Sequence, residues 1–335
     1  MTYCFQLLPH ANIRYQEALH GLAKQELICM LRRLGLPEDV RMEQMGGALF
    51  LSFDAPELTD GQRQFLAGHS ALTFWAAREG ALLRPLDKPA VDYFPAELPE
   101  LPKYKGKTNA VFTRMMINLA RCAAAPDAKE PLTVLDPLCG RGTTLFVGLQ
   151  CGLHVIGADV DRRDLNEGAD YLQRYLQYHR LKYDRRALGR TAGGQNVPEV
   201  AFTLAPDRAR YAAGDTRTAR FLLMDAGLTG AALKKTPAHL LVADLPYGIQ
   251  HAPQDGRKPE PFIALLRRAL PGWYQALRPG GAAALSFNRL TLDKPALLDA
   301  LTRAGFEPVM TPPCDDFSHE VEQAVTRDVV VARRP

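Results

Sequence analysis

The sequence predicts an α/β architecture: a mostly parallel sheet covered by helices on both faces, preceded by a small α+β unit. Two observations carry this reading. From about residue 110 onward, strand-like runs alternate with helical ones: "LTVLD", "HVIGAD", "ARYAA", "HLLVAD", "AAALSF", "FEPVM" and "RDVVVA". Several are continuous apolar stretches, as strands buried on both faces are, and such alternation implies parallel pairing with crossover helices. The second is a proline-rich run, "KPAVDYFPAELPELPKYKGK", with Pro at 89, 95, 99 and 102. Prolines so closely spaced disfavour regular ladders and make a semi-stiff connector. The expected division is residues 1–88 as an N-terminal α+β domain, 89–102 as linker and 103–335 as the main domain. A chain of 335 residues accommodates one large domain and one smaller.

In the N-terminal part, "YCFQLL" reads as a short strand. Ala18, Leu22, Leu27, Met30, Leu31 and Leu34 have helical spacing over 14–34. "VRMEQ" and "ALFLSF" are strands flanking Met45-Gly46-Gly47, where two glycines suit a tight hairpin. A second helix is expected from Thr59-Asp60, then a short strand at "GALLRPL".

The stretch "TVLDPLCGRGTTLFVGLQCG" (133–152) reads as a buried strand, Asp136, a glycine turn and a helix. Gly140 and Gly142 let a ligand approach the backbone, and the helix N-terminus behind them offers N–H groups. The third glycine of a dinucleotide fingerprint is replaced by Leu145, and no G-K-[ST] follows. An acid ahead of the glycines suits a ligand bearing an amino group better than a pyrophosphate. "HVIGAD" ends in Asp159, about twenty residues after the turn, where an acid bonds a ribose diol in doubly wound folds. "ARYAAGD" ends in Asp215, expected within reach of a bound base. Three strands ending in acids beside a glycine turn favour a nucleoside site at the carboxyl edge of the sheet.

A fourth strand ends in "ADLPYG". Such a corner suits a flat, polar substrate at a sheet edge. Asp244 supplies one acceptor there and the Leu245 carbonyl another. Pro246 holds the preceding residue in extended conformations, and Tyr247 offers an aromatic face to a flipped base.

At this point the chain resembles the class I S-adenosylmethionine-dependent methyltransferases that methylate amines. In those, D-P-[FL]-x-G-x-G-T is followed by a D/N-P-P-Y type motif. Here the two stand as Asp136-Pro137-Leu138-Cys139-Gly140-Arg141-Gly142-Thr143 and Asp244-Leu245-Pro246-Tyr247-Gly248. Within that class it resembles the tRNA guanosine-N2 methyltransferases that usually carry a THUMP domain. "KYKGKTNAVFTRMMINLA" and "HEVEQAVTRDVVVARR" support this over roughly 103–335. The N-terminal part is similar to the ferredoxin-like piece that precedes THUMP, with too little chain for THUMP itself. The resemblance implies a Rossmann-like sheet of seven strands, mostly parallel with the last antiparallel, and S-adenosyl-L-methionine as cofactor. It implies cofactor contacts from Asp136, Pro137, Cys139, Gly140, Gly142, Thr143, Asp159 and Asp215, with Thr108, Asn109 and Thr113 from the preceding segment. It implies methyl transfer to a purine's exocyclic amine, held about 3–3.5 Å from the methyl carbon. It implies catalysis by Asp244, Leu245, Pro246 and Tyr247, and RNA, with tRNA foremost, as partner. Amino-methylation of DNA adenine or cytosine, or of protein glutamine, uses the same chemistry and stays open, as does a catalytically silent binding scaffold.

Charge and composition fit these expectations. Residues 1–100 carry a balance of −4 and the remainder +8, so an anionic partner would be gripped mainly by the larger domain. Candidate phosphate contacts are Arg180, Lys182, Arg185 and Arg186, then Lys103, Lys105 and Lys107 in the linker segment, and Arg257 and Lys258 in a long polar loop. Tyr171, Tyr175 and Tyr178 share a helical face and are expected to pack against the sheet. No membrane-length apolar run and no signal peptide are visible, and six cysteines lack a CxxC pair or metal spacing. A reducing cytoplasm, no metal and no membrane are therefore expected, and the sequence fixes no oligomeric state.

Overall fold

The computed structural model describes residues 1–9, 13–102, 107–125, 131–233, 237–246, 261–322 and 324–335. The N-terminal unit runs β1 (Thr2–Leu7), α1 (Ile13–Arg33), β2 (Val40–Met45), β3 (Ala48–Asp54), α2 (Asp60–Ala67), β4 (Leu72–Glu79) and β5 (Leu82–Pro85). Its antiparallel sheet has the spatial order β2-β3-β1-β4-β5. The first six elements thus form a split β-α-β arrangement with β1 and β3 inside. Period-two alternation in β1 sends Tyr3, Phe5 and Leu7 to the face covered by Leu27, Met30 and Leu31 of α1. Thr59 and Gln62 close a capping box at the start of α2. The sequence reading passed over β4. Its core residue Trp75, against the ring of Phe5 at 4.9 Å, is followed by small alanines that gave no alternating signal.

The proline-rich run is packed rather than free. Phe94 and Leu98 are buried in the main core, and the Tyr93 N–H donates to the Gln150 carbonyl at 2.7 Å. Short helix α3 (Glu97–Glu100) follows, then α4 (Ala110–Ala123), whose N-terminus is capped by the Asn109 side chain. Helix α1 packs on α4, and buried Glu26 ties them together. Its Oε1 accepts from the Ser70 N–H at 2.9 Å and from Asn118 Nδ2 at 2.6 Å. Asn118 also donates to the Gly68 carbonyl at 2.9 Å, and Arg114 Nε does so at 3.1 Å.

The larger unit continues with β6 (Thr133–Asp136), α5 (Thr143–Gln150), β7 (His154–Asp159), α6 (Arg162–Tyr178), β8 (Lys182–Ala192), β9 (Gln195–Ala205), α7 (Arg208–Ala212) and β10 (Arg217–Leu223). Then come α8 (Thr229–Leu233), β11 (Ala238–Asp244), α9 (Phe262–Ala276), β12 (Leu277–Asn288), α10 (Lys294–Arg303), β13 (Glu307–Pro308), β14 (His319–Glu322) and β15 (Val325–Arg333). The sheet order is β13-β15-β12-β11-β6-β7-β10-β9-β8, with β14 beside β15. Strands β10, β7, β6, β11 and β12 are parallel, and β15 runs antiparallel to β12. Alternate residues divide between two cores: Val134, Val155 and Val242 face α4, α5 and α6, while Leu135, Ile156 and Leu241 face α9 and α10.

Two expectations are corrected. Among the described residues the sheet has ten strands, because the β8–β9 hairpin extends the β10 edge and β14 pairs with β15. "ARYAA" is helix α7, capped by Asp207, and the third parallel strand is "RTARFLL" in β10. Among the described residues no helix is long and apolar enough to cross a membrane.

The α1–α4 contact and the bonds of Glu26 and Asn118 are expected to make the two units unfold together. Asn118→Ala strips a donor from a buried carboxylate and should lower the unfolding free energy of the whole chain by about 1–3 kcal/mol. Denaturant titration followed at both units is the check. Separate transitions, or a loss below about 0.5 kcal/mol, would contradict it.

Candidate active site

Strand order reverses between β6 and β11, so the loops leaving their carboxyl ends turn to opposite sides and open a crevice. The glycine turn after β6 forms one wall. Gly142 caps α5 with φ 91° and Gly140 has φ 49°, left-handed conformations that exclude most side chains. A Cβ at Gly140 would meet nothing within 4 Å, so the backbone there faces open space. The turn is held by Asp159, whose Oδ2 accepts the Gly140 N–H at 2.7 Å and Oδ1 the Asp161 N–H at 3.0 Å. Cys139 is buried and its N–H donates to the Ala158 carbonyl at 3.0 Å, completing the tie between β6 and β7. Pro137 lies within this turn, and Thr143 opens α5, buried behind it.

Asp136 is buried at the base of the crevice, with Oδ1 accepting the Leu138 N–H at 3.0 Å. Burial pushes its carboxyl up from 3.8 to about 7, against the opposing bonds from Thr144 and Leu138, with the charges of Asp159 and Asp244 adding to the rise.

Across the crevice, Asp244 ends β11. Its Oδ2 accepts from Thr108 Oγ1 and its Oδ1 from Ser286 Oγ, both at 2.7 Å. Arg327 Nη2 lies 3.6 Å from Oδ2, its buried guanidinium 4.6 Å over the Phe112 ring. The carboxylate plane is thereby fixed from three parts of the chain. The Leu245 N–H donates to the Ser286 carbonyl at 2.8 Å and its side chain enters the core, which sets the backbone just ahead of Pro246.

The structure therefore gathers Asp136, Pro137, Cys139, Gly140, Gly142, Thr143, Asp159, Asp244, Leu245 and Pro246 around one crevice. Thr108, expected at the cofactor, instead bonds the Asp244 carboxylate. Asn109 spends its side chain on the Val111 and Phe112 N–H groups, and Thr113 bonds the Asn109 carbonyl, so both shape the start of α4. Asp215 is corrected. It precedes β10 at the opposite edge, paired with Arg210 and Arg217, because the strand it was thought to end is a helix. The acid that follows β10 is Asp225, which accepts the Gly227 N–H at 2.7 Å and pairs with Arg268. The Met224 N–H donates to the Asp159 carbonyl, placing Asp225 beside the end of β7.

Of the basic candidates, Arg180, Lys182, Arg185 and Arg186 are not brought to the crevice. Arg180 and Lys182 stand where β8 begins, at the amino edge of the parallel strands, and Arg185 and Arg186 pair with Asp170 and Asp184. Lys107 pairs with Glu100. Lys103, Lys105, Tyr247, Arg257 and Lys258 lie outside the described residues. Tyr171 and Tyr175 pack inward as expected, but Tyr178 is exposed. Sequence reasoning missed Ser286, Arg327 and Asp225. For Asp225 the signal was present, since "RFLLMD" is another apolar run closed by an acid.

The order β13-β15-β12-β11-β6-β7-β10, with β15 alone reversed, is a Rossmann-like, mostly parallel sheet, to which β8, β9 and β14 are additions. Solved structures similar to this chain include TrmN from Thermus thermophilus, at 19% identity and TM-score 0.39, covering 88% of this chain and 59% of that one. The chain thus spans under two thirds of TrmN. Others are a methyltransferase from Pyrococcus furiosus (13% identity, TM-score 0.40, 69% and 87% covered) and the rRNA methyltransferase aviRa from Streptomyces viridochromogenes (16%, 0.39, 72% and 91%). No family model and no curated protein matches the sequence.

A carboxyl that holds its proton more tightly folded than unfolded contributes stability in full below about pH 4 and loses it as pH rises through about 7. Asp136→Asn should abolish that loss. The unfolding free energy of the native chain should fall relative to the variant between about pH 4 and 7. Parallel pH profiles would contradict the assignment.

Proposed function

We propose that the chain is an S-adenosyl-L-methionine-dependent N-methyltransferase that acts on an exocyclic amine of RNA, namely guanosine N2 of tRNA. The observation that carries this reading is the position of Asp244. A carboxylate oriented by Thr108, Ser286 and Arg327 faces, across the switch-point crevice, a glycine turn with backbone open to a ligand.

The residues present fit the cofactor. Asp159 bonds the glycine turn at the end of β7, the position from which an acid meets a ribose diol in doubly wound folds. Asp136, with its carboxyl near neutrality, suits a cationic amino group, whose approach favours the ionised form. Asp225 stands where a base edge would follow the ribose. When bound, the cofactor supplies an electrophilic methyl on a sulfonium. Asp244 accepts a hydrogen bond from the target amine, and the Leu245 carbonyl, set in direction by Pro246, accepts a second. Together they draw the nitrogen out of conjugation and hold its lone pair in line with the methyl, a gain in orientation rather than in acid strength. RNA as the bearer of the amine rests on the "DLPYG" resemblance and on the +8 balance of residues 101–335.

Two variants separate binding from chemistry. Asp159→Ala should weaken S-adenosylhomocysteine by roughly 1–3 kcal/mol in calorimetry. Asp244→Ala should leave that affinity within about threefold and lower methyl transfer to total tRNA by about 10²–10³. An Asp244→Ala enzyme retaining more than about a tenth of the native rate would remove Asp244 from the chemistry. Transfer to DNA or protein in place of RNA would redirect the substrate.

A further inference from the structure

We propose that Cys29 and Cys314 form a thiol–disulfide exchange site, oxidised by a small organic disulfide, that covalently joins the N-terminal unit to the methyltransferase sheet. The two residues are 285 positions apart, on α1 and on the segment before β14, yet their Sγ atoms lie 3.2 Å apart. A disulfide has its sulfurs about 2.05 Å apart, so bonding requires the two to close by only about 1 Å. The approach does not depend on the sulfurs alone. One turn before Cys29, Gln25 Nε2 donates to the Asp316 carbonyl at 2.7 Å, and one turn after, Arg32 Nη2 donates to the Pro312 carbonyl at 2.6 Å. One face of α1 is thus clamped to residues 312–316 on both sides of the thiol pair.

The two thiols are unequal. Cys29 is buried, whereas Cys314 is partly exposed and is the point of entry. The hydrogen bond between the two thiols, with Arg32 nearby, pulls the Cys314 thiol below its ordinary value, and the same bond together with burial pushes Cys29 up. Exchange therefore begins at Cys314. Its thiolate attacks one sulfur of the small disulfide, a mixed disulfide forms and one small thiolate leaves. Cys29 then gives its proton to solvent and attacks Cys314 Sγ, and the second small thiolate leaves. The net change oxidises two protein thiols to one disulfide and reduces one small disulfide to two thiols. The bond would pin α1 to the chain that runs through Phe317 and His319 into β15, whose Arg327 sits beside Asp244. The site stands independently of the proposed methyl transfer.

The test treats the full chain with oxidised glutathione, alkylates free thiols in denaturant and maps the peptides by mass spectrometry. Two of the six thiols should be protected, in a peptide joining Cys29 to Cys314, and reductant should release both. Cys314→Ser should leave all five remaining thiols open to alkylation after the same treatment. The proposal is overturned if the native chain keeps six free thiols, if Cys122 of α4 replaces either partner in the linkage, or if glutathione stays on Cys314 with Cys29 free.

Discussion

The reversal of strand order beside β6 is the constraint on which the rest of the structure depends. β7 and β10 build outward on one side of β6, β11 and β12 on the other, all parallel, so every one of these strands delivers its last residue to the same edge. At the reversal, connecting segments diverge to opposite faces of the sheet, the arrangement that opens a crevice at a strand-order switch. Asp136, Asp159 and Asp244 close three of the strands, and Asp225 follows a fourth. Four acids at one edge are costly for a core and useful for a ligand with cationic and hydroxyl groups.

These acids are made different by their surroundings. Asp136 has burial as its dominant influence and sits near neutrality. Asp159 is spent partly on the backbone of the glycine turn, so the same carboxylate that would meet a ribose also shapes the loop. Asp244 is gripped by two hydroxyls and approached by a guanidinium, which fixes orientation. The donors come from far-separated parts of the chain: Thr108 before α4, Ser286 in β12 and Arg327 in β15. Positioning of the proposed catalytic acid is therefore a property of the assembled sheet, and the N-terminal unit, bonded to α4 through Glu26 and Asn118, is coupled to it by packing.

Much of this was legible in the sequence because parallel strands read as apolar runs and because glycine turns have few alternatives. The glycine turn and the acids at 136, 159 and 244 were found in this way. Asp215 was misplaced because "ARYAA" is as compatible with one helical turn as with a strand, and the capping Asp207 decided it. The β8–β9 hairpin escaped because its exposed strand is rich in arginine, which signals solvent more than pairing, and Gly193-Gly194 at its turn was the neglected cue. Ser286 and Arg327 carried no local signal. Their role comes from register, Ser286 lying opposite Asp244 across the β11–β12 ladder. The prolines at 89–102 are accompanied by no strand, but Pro99 lies within the short helix α3. Phe94 and Leu98 between them decide that the run packs instead of spanning solvent.

The central claim is that the crevice between β6 and β11 holds the cofactor with its reacting end toward Asp244. A crystal structure of the full chain with S-adenosylhomocysteine tests it directly. The account predicts ribose hydroxyls on Asp159, the amino group near Asp136 and the thioether sulfur facing the Asp244–Leu245 corner. A ligand seated elsewhere, or one bound in the crevice with its sulfur turned away from Asp244, would contradict it.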